Sequence, residues 1–289
     1  MVARPKDTLE DLKRKVRIAT LLGTLQSTLT DFRYLRAIWK KNAEEERLLG
    51  VSITGIMDHP VLNGSKGYKE LSEFLSILKE ESINANIEYA NALGIERSAA
   101  ITCVKPSGTV SQLVDAASGI HPRYEPYYIR TVRADVKDPL AIFLQKQGVP
   151  CEPDVMKPHV GLVFSFPMKA PEVAVFRNDV TALDQLEHYL IWKEAYCEHN
   201  PSITVYVKEE EWLDVGAWVY KNFDRIGGVS FLPHSDHTYK QAPYQQITQE
   251  EYENLSSEFP AIDWDSFKEK GDNTTSTREL ACVAGVCEL

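Results

Sequence analysis

Cysteine is scarce in this chain: among 289 residues only Cys103, Cys151, Cys197, Cys282 and Cys287 carry a thiol. An odd and mostly scattered set excludes the disulfide framework of a small secreted domain. It fits a reducing compartment, and a cytoplasmic location is expected. Long apolar runs are also missing. No stretch approaches the ~20 apolar residues of a membrane span, and the opening "MVARPKDTLEDLKRKVRIATLLG" holds no apolar core of signal-peptide type. Positive charge is in deficit, with 32 Lys and Arg against 42 Asp and Glu and a net charge of −10. A nucleic-acid or membrane-surface binder needs a basic face, so neither partner is expected. Repeats are absent, and so is the phosphate loop G-x-x-x-x-G-K-[ST]. What remains is an ordinary globular composition, 43% apolar and 26% charged, able to build a sizeable core.

Strand-like and helix-like segments alternate along it. Apolar residues at three- and four-residue spacing predict a helix over Thr8 to Leu29, and another over Tyr68 to Leu93 with Gly94 as its C-cap. Further helices are predicted at Pro139 to Lys146, Asp184 to Glu198 and Glu209 to Asn222. The Pro- and Tyr-rich stretch His121 to Tyr128 reads as irregular. Five strands are predicted: Leu49 to Asp58, Ser98 to Val104, Val160 to Pro167, Ser202 to Val207 and Gly227 to Pro233. Strands separated by helices of ten or more residues imply parallel pairing through helical crossovers. Composition shifts only near Lys268, where "GDNTTST" has the small polar character of a flexible linker. The expected organisation is a body over residues 1–267 and a mobile tail over 268–289.

Two stretches carry chemistry. In "ITCVKPSGTVSQL" a strand ends at Val104, Pro106 forbids its continuation, and Ser107, Gly108 and Thr109 precede a helix-compatible run. Unpaired backbone N–H groups, two hydroxyls and a helix start converge there, which suits an anion. The same layout also serves as an ordinary N-cap. At the other end, "RELACVAGVCEL" sets Cys282 and Cys287 close together on a polar tail. Without histidines nearby they make a poor zinc site, and no metal is expected.

The blocks "CVKPSGTVSQL" and "ASGIHPRYEPYYIRTVR" resemble the large catalytic subunit of ribonucleotide reductases, and most closely the adenosylcobalamin-dependent class II enzymes acting on triphosphates. "RLLGVSITGIMD", "SFLPHSDHTYKQAPYQQIT" and "ACVAGVCEL" resemble further segments of that family in the same order. The likeness runs from about Glu44 to Leu289. It implies an α/β fold, the second half of a ten-stranded barrel with a flexible C-terminal tail, and reduction of ribonucleotides at the 2′-carbon by radical chemistry. It also implies that Pro106, Ser107, Gly108, Thr109, Val110 and Ser111 bind the substrate's phosphates. Cys282 and Cys287 would be the redox shuttle, passing electrons from thioredoxin or a similar reductant to a thiol pair inside the barrel.

The family's thiyl-bearing Asn-x-Cys-x-Glu segment is missing from this chain. Cys103, Cys151 and Cys197 read as small apolar residues. An N-terminal partner is therefore expected to supply the other half barrel and to share the adenosylcobalamin, the chain being a split subunit or a fragment. The opening "MVARPKDT" favours a split subunit. A class I large-subunit fragment and a non-catalytic nucleotide-binding module are the alternatives. The final strand region lacks the adjacent tyrosines of class I, since Tyr127 and Tyr128 lie elsewhere. Arg123, Arg130 and Arg133 could neutralise a triphosphate or pair with carboxylates.

Overall fold

A computed structural model describes residues 1–234, 239–269 and 271, together with the backbone of 282–283 and 286–287. The predicted linker and most of the tail lie outside the described residues.

In chain order the elements begin with α1 (Leu9–Gln26), α2 (Ala37–Glu46), β1 (Val51–Ser52), α3 (Tyr68–Leu93), β2 (Thr102–Cys103) and the single turn α4 (Val110–Leu113). Next come β3 (Tyr127–Asp135), α5 (Pro139–Lys146), β4 (Cys151–Pro153) and β5 (Gly161–Lys169). The remainder is α6 (Ala182–Ala195), β6 (Thr204–Val207), α7 (Trp212–Lys221), β7 (Ser230–Pro233), β8 (Tyr244–Gln246), α8 (Gln249–Glu258) and the paired stubs β9 (Cys282–Val283) and β10 (Val286–Cys287). Local chemistry sets several of these limits. Thr8 with Asp11, Thr181 with Asp184 and Thr248 with Glu251 form capping boxes that start α1, α6 and α8. Gly94 ends α3 in the left-handed conformation that only glycine adopts cheaply.

The chain divides into two compact units. The first comprises Met1–Arg123 and Pro171–Ser235. Its sheet segments are parallel. β1 pairs β2 with Val51 opposite Thr102, and β6 pairs β7 with Thr204 opposite Ser230. A backbone bond from Ser202 N to Val104 O, 3.0 Å, links the two pairs. On the far side of β1 the first residues add a further parallel segment, bridged at Val2 and Thr54 and closed by Ala3 N to Thr54 O at 2.8 Å. Gly55 follows with φ +80°; a Cβ there would sit 2.2 Å from Ala3 O, so nothing larger fits. Helices cover the strands. α1 and α6 pack on α3, whose buried stripe runs Leu71, Leu75, Leu78, Ser82 and Ala85. Trp192, Tyr189 and Tyr196 of this unit are wholly buried with that stripe.

The second unit, Tyr124–Ala170 with Asp236–Leu289, holds a four-stranded sheet in the order β4-β5-β3-β8. All its pairings are antiparallel, with Val132 opposite Phe164 and Arg130 opposite Tyr244. Phe164, Leu162, Leu144 and Ala141 are its core. Here the structure corrects the strand reading. The segment predicted at Val160 to Pro167 is β5, which does not join the parallel strands. It runs back along all nine residues of β3. β3 itself, "YYIRTVRAD", begins inside the stretch read as irregular; Pro126 and the tyrosine cluster masked its two-residue alternation. The fifth parallel segment is instead the short one at Met1–Ala3.

Arg130 and Arg133 belong to this second unit. The Arg130 guanidinium lies 4.5 Å over the Tyr244 ring, and Arg133 pairs with Asp154 at 3.2 Å. Among the described residues no helix is long and apolar enough to cross a membrane.

Candidate functional site

β1 and β2 run in one direction, and so do β6 and β7, so the segments that follow the two strands of each pair emerge at the same end of that pair. Parallel α/β folds place ligands at that carboxyl end. The loop after β2 starts there with Lys105, whose backbone N–H donates to Ser52 Oγ at 3.1 Å. Its ammonium donates to Asn200 O at 2.8 Å and Ser202 Oγ at 3.0 Å. Pro106 and Ser107 are half-buried; Gly108, Thr109 and Val110 are exposed; Ser111 is buried.

The hydroxyls divide accordingly. Ser107 N donates to Ser118 Oγ at 2.8 Å, and Ser111 N donates to Ser107 Oγ at 3.1 Å. The Ser111 hydroxyl donates to Ser107 O. Ser107 and Ser111 thus close the loop on itself, while Thr109 opens α4 with no side-chain capping bond. Gly119, at φ +55°, lets the return strand of the loop pass close to Lys105 O. The six predicted residues therefore split into a fastened base at Ser107 and Ser111 and an open tip at Gly108 to Val110.

Beyond the tip the loop is clamped. Arg123 is buried against Asp58, with Nε to Oδ1 at 2.8 Å and Nη2 to Oδ2 at 2.9 Å, and its Nη1 reaches Asp115 Oδ1 at 2.9 Å. Asp58 also accepts from Ala117 N at 2.8 Å. A two-pronged guanidinium–carboxylate pair of this kind fixes direction as well as distance. His121 adds a strap: Thr204 N donates to its Nε2 at 3.0 Å, so the ring proton sits on Nδ1, which faces Ser118 O at 3.0 Å. Burial lowers the His121 pKa below its ordinary value, keeping the ring in the neutral form that this bonding needs. Arg123 and His121 thus hold backbone and carboxylate groups. Lys105 and the Asp58 clamp were not singled out in the sequence. The only sequence cue for Lys105 was a cation placed directly before the proline that ends the strand.

The body cysteines are poor nucleophiles. Burial raises the Cys103 and Cys151 thiols and pushes Cys197 up to about 12, far from the thiolate form that reacts. Cys282 and Cys287 differ. Their side chains lie outside the described residues, but the backbone register of β9 and β10 sets Cys282 directly opposite Cys287. Opposed residues of an antiparallel pair have Cα atoms about 4.5–5.5 Å apart, inside the span a disulfide bridges.

No family model matches the chain. A Euglena gracilis protein, adenosylcobalamin-dependent ribonucleoside-triphosphate reductase, is 30% identical over 252 residues, covering 86% of this chain and 33% of that protein. The protein of the same name from Levilactobacillus brevis is 26% identical over 281 residues, covering 86% and 37%. A crystal structure of a B12-dependent (class II) ribonucleotide reductase superposes with a TM-score of 0.77 over 87% of this chain and 38% of that one. The chain corresponds to one portion of class II ribonucleotide reductase. At 24% identity the solved structure speaks for the fold, and the mixed α/β architecture expected from the resemblance is the one found. The chain spans about a third of the length of the curated relatives it matches. These class II reductases carry adenosylcobalamin in their names, which favours that class over a class I fragment and over a non-catalytic module.

Proposed function

We propose that this chain supplies the substrate-phosphate loop and the reducing tail of an adenosylcobalamin-dependent ribonucleotide reductase, and that a second polypeptide portion supplies the thiyl cysteine. The observation that carries the reading is the similarity to adenosylcobalamin-dependent reductases over most of the chain. The open tip supports it. Backbone N–H groups at Gly108 and Thr109, the Thr109 hydroxyl and the nearby Lys105 cation are the donor set a ribonucleotide's phosphates require. Ser107 and Ser111 hold that tip in shape.

In the tail, a thiolate of the Cys282–Cys287 pair attacks the disulfide left inside the barrel after turnover. A mixed disulfide forms, and the second tail cysteine displaces the barrel thiol. Two electrons and two protons have then reached the barrel pair, and the tail holds the disulfide, which thioredoxin reduces outside. The polar residues from Gly271 to Thr277 act as the tether, giving an effective concentration of about millimolar.

The cofactor named in the relatives supplies the radical-generating chemistry when bound. The histidine of the described loop offers cobalt no free imidazole, since both ring nitrogens of His121 face backbone groups. We therefore place the adenosylcobalamin contacts outside this loop. Reconstitution with a polypeptide carrying the Asn-x-Cys-x-Glu segment, adenosylcobalamin and thioredoxin is the test. Cys282→Ser and Cys287→Ser each abolish turnover, and a small dithiol that enters the barrel directly restores it. Thr109→Ala raises KM for the ribonucleotide about tenfold, the size expected for one lost bond to a charged phosphate. Normal turnover of both cysteine variants with thioredoxin would overturn the shuttle.

A further inference from the structure

α4 closes on a residue whose side chain disfavours the backbone it adopts. Ala116 N donates to Ser111 O at 2.9 Å and Asp115 N to Gln112 O at 3.1 Å, the pair of bonds that ends a helix around one left-handed residue. That residue is Asp115, at φ +43°. Glycine is the usual occupant, because a Cβ is strained there. The loop's other left-handed position, at φ +55°, is Gly119.

An aspartate brings a carboxylate that glycine lacks, and here its Oδ1 accepts from Arg123 Nη1 at 2.9 Å. That guanidinium is already paired. Asp58 meets it with both oxygens, at 2.8 and 2.9 Å, and both members of that pair are buried while the Asp115 side chain is 54% exposed. A half-exposed carboxylate added to an already paired guanidinium contributes little stability, so stability alone does not account for an aspartate in a strained conformation. Position does. Arg4 Nη1 holds the Asp115 carbonyl at 2.9 Å, so the end of α4 is gripped by two arginines. From there the single turn reaches the tip directly: Leu113 N donates to Thr109 O at 2.9 Å and Val114 N to Val110 O at 3.1 Å.

We propose that Asp115 is a positioning residue of the phosphate loop: its carboxylate, seated on Arg123, fixes the end of α4 and so aims Gly108 to Val110 at the substrate's phosphates. This role rests on the phosphate-binding reading above.

Two substitutions in the full chain test it. Asp115→Gly removes the carboxylate and the strain together, whereas Asp115→Asn keeps the Oδ1 acceptor on a residue that tolerates the left-handed region. Urea unfolding of Asp115→Gly should show a midpoint equal to or above the parent's, since the strain leaves with the side chain. In the reconstituted reductase the same variant should still raise KM for the ribonucleotide about tenfold, the effect of a misplaced binding group, with kcat at saturating substrate near the parent's. Asp115→Asn should restore most of the lost affinity. Amide exchange reads the same link without a partner: the Leu113 and Val114 amides exchange faster in the glycine variant and return toward the parent rate with asparagine. An unchanged KM, unaltered exchange at Leu113 and Val114, or an asparagine variant that behaves like the glycine one overturns the proposal. So does a lowered midpoint, which would make the contact a structural one. Thr109→Ala run in parallel separates the two readings. KM raised there but not in Asp115→Gly removes the positioning role alone, whereas KM unmoved in both removes the phosphate loop with it.

Discussion

His188 is the residue whose protonation the fold opposes most clearly. It is wholly enclosed, its Nε2 lies 2.9 Å from Leu62 O and 3.0 Å from Trp192 Nε1, and burial lowers its pKa from 6.5 to about 4. The folded chain keeps the ring neutral where the unfolded chain protonates it. The stabilisation is therefore complete above pH 6.5 and is lost as pH falls from 6.5 toward 4, by up to about 3 kcal/mol. Urea unfolding at pH 7 and pH 4.5 should show the loss, and His188→Gln should flatten that part of the profile. An equal loss in the variant assigns the acid sensitivity elsewhere. Arg123 gives a second expectation. Arg123→Leu strands Asp58 as a buried carboxylate without its cation and should destabilise the first unit by about 3–5 kcal/mol. Denaturant midpoints measure it, and an unchanged midpoint would show that the clamp is dispensable.

At the scale of elements, legibility followed local chemistry. α3 and α5 lie where the sequence placed them, Tyr68–Leu93 and Pro139–Lys146, because Gly94 and the Asp138–Pro139 pair mark their ends by backbone rules that need no tertiary context. β3 was hidden by proline and tyrosine, and its antiparallel partnership with β5 depends on pairs 26 to 42 residues apart. α2 was missed for a different reason: none of its ten residues is buried, so no apolar periodicity marks it. The place of the loop was legible because Pro106 ends the strand. Its clamp was not, since Asp58 and Arg123 are 65 residues apart and meet only in three dimensions.

For the whole molecule, the order of parallel segments matters most. Among the described residues the run ends at β7, whose residues are largely exposed, and α7 beside it in sequence exposes Leu213 and Tyr220. An open parallel edge flanked by apolar helix surface is a place for another chain to continue the sheet. Leu213→Glu/Tyr220→Glu should leave this chain's own circular dichroism unchanged while weakening its assembly with the thiyl-bearing portion proposed above. Pull-down of one portion by the other reads that directly, and undiminished capture would place the junction elsewhere. The loop after β2 has its own consequence. It is fastened at Lys105 on one side and at Arg123 on the other, with Gly108 to Val110 as its exposed tip. Deuterium should enter those three amides quickly and the anchored stretch from Ala116 to Arg123 slowly. A loop pinned at its roots can be rewritten at its crown without unravelling, so under the proposed reading substitutions at the crown would retune phosphate binding while the body stays intact.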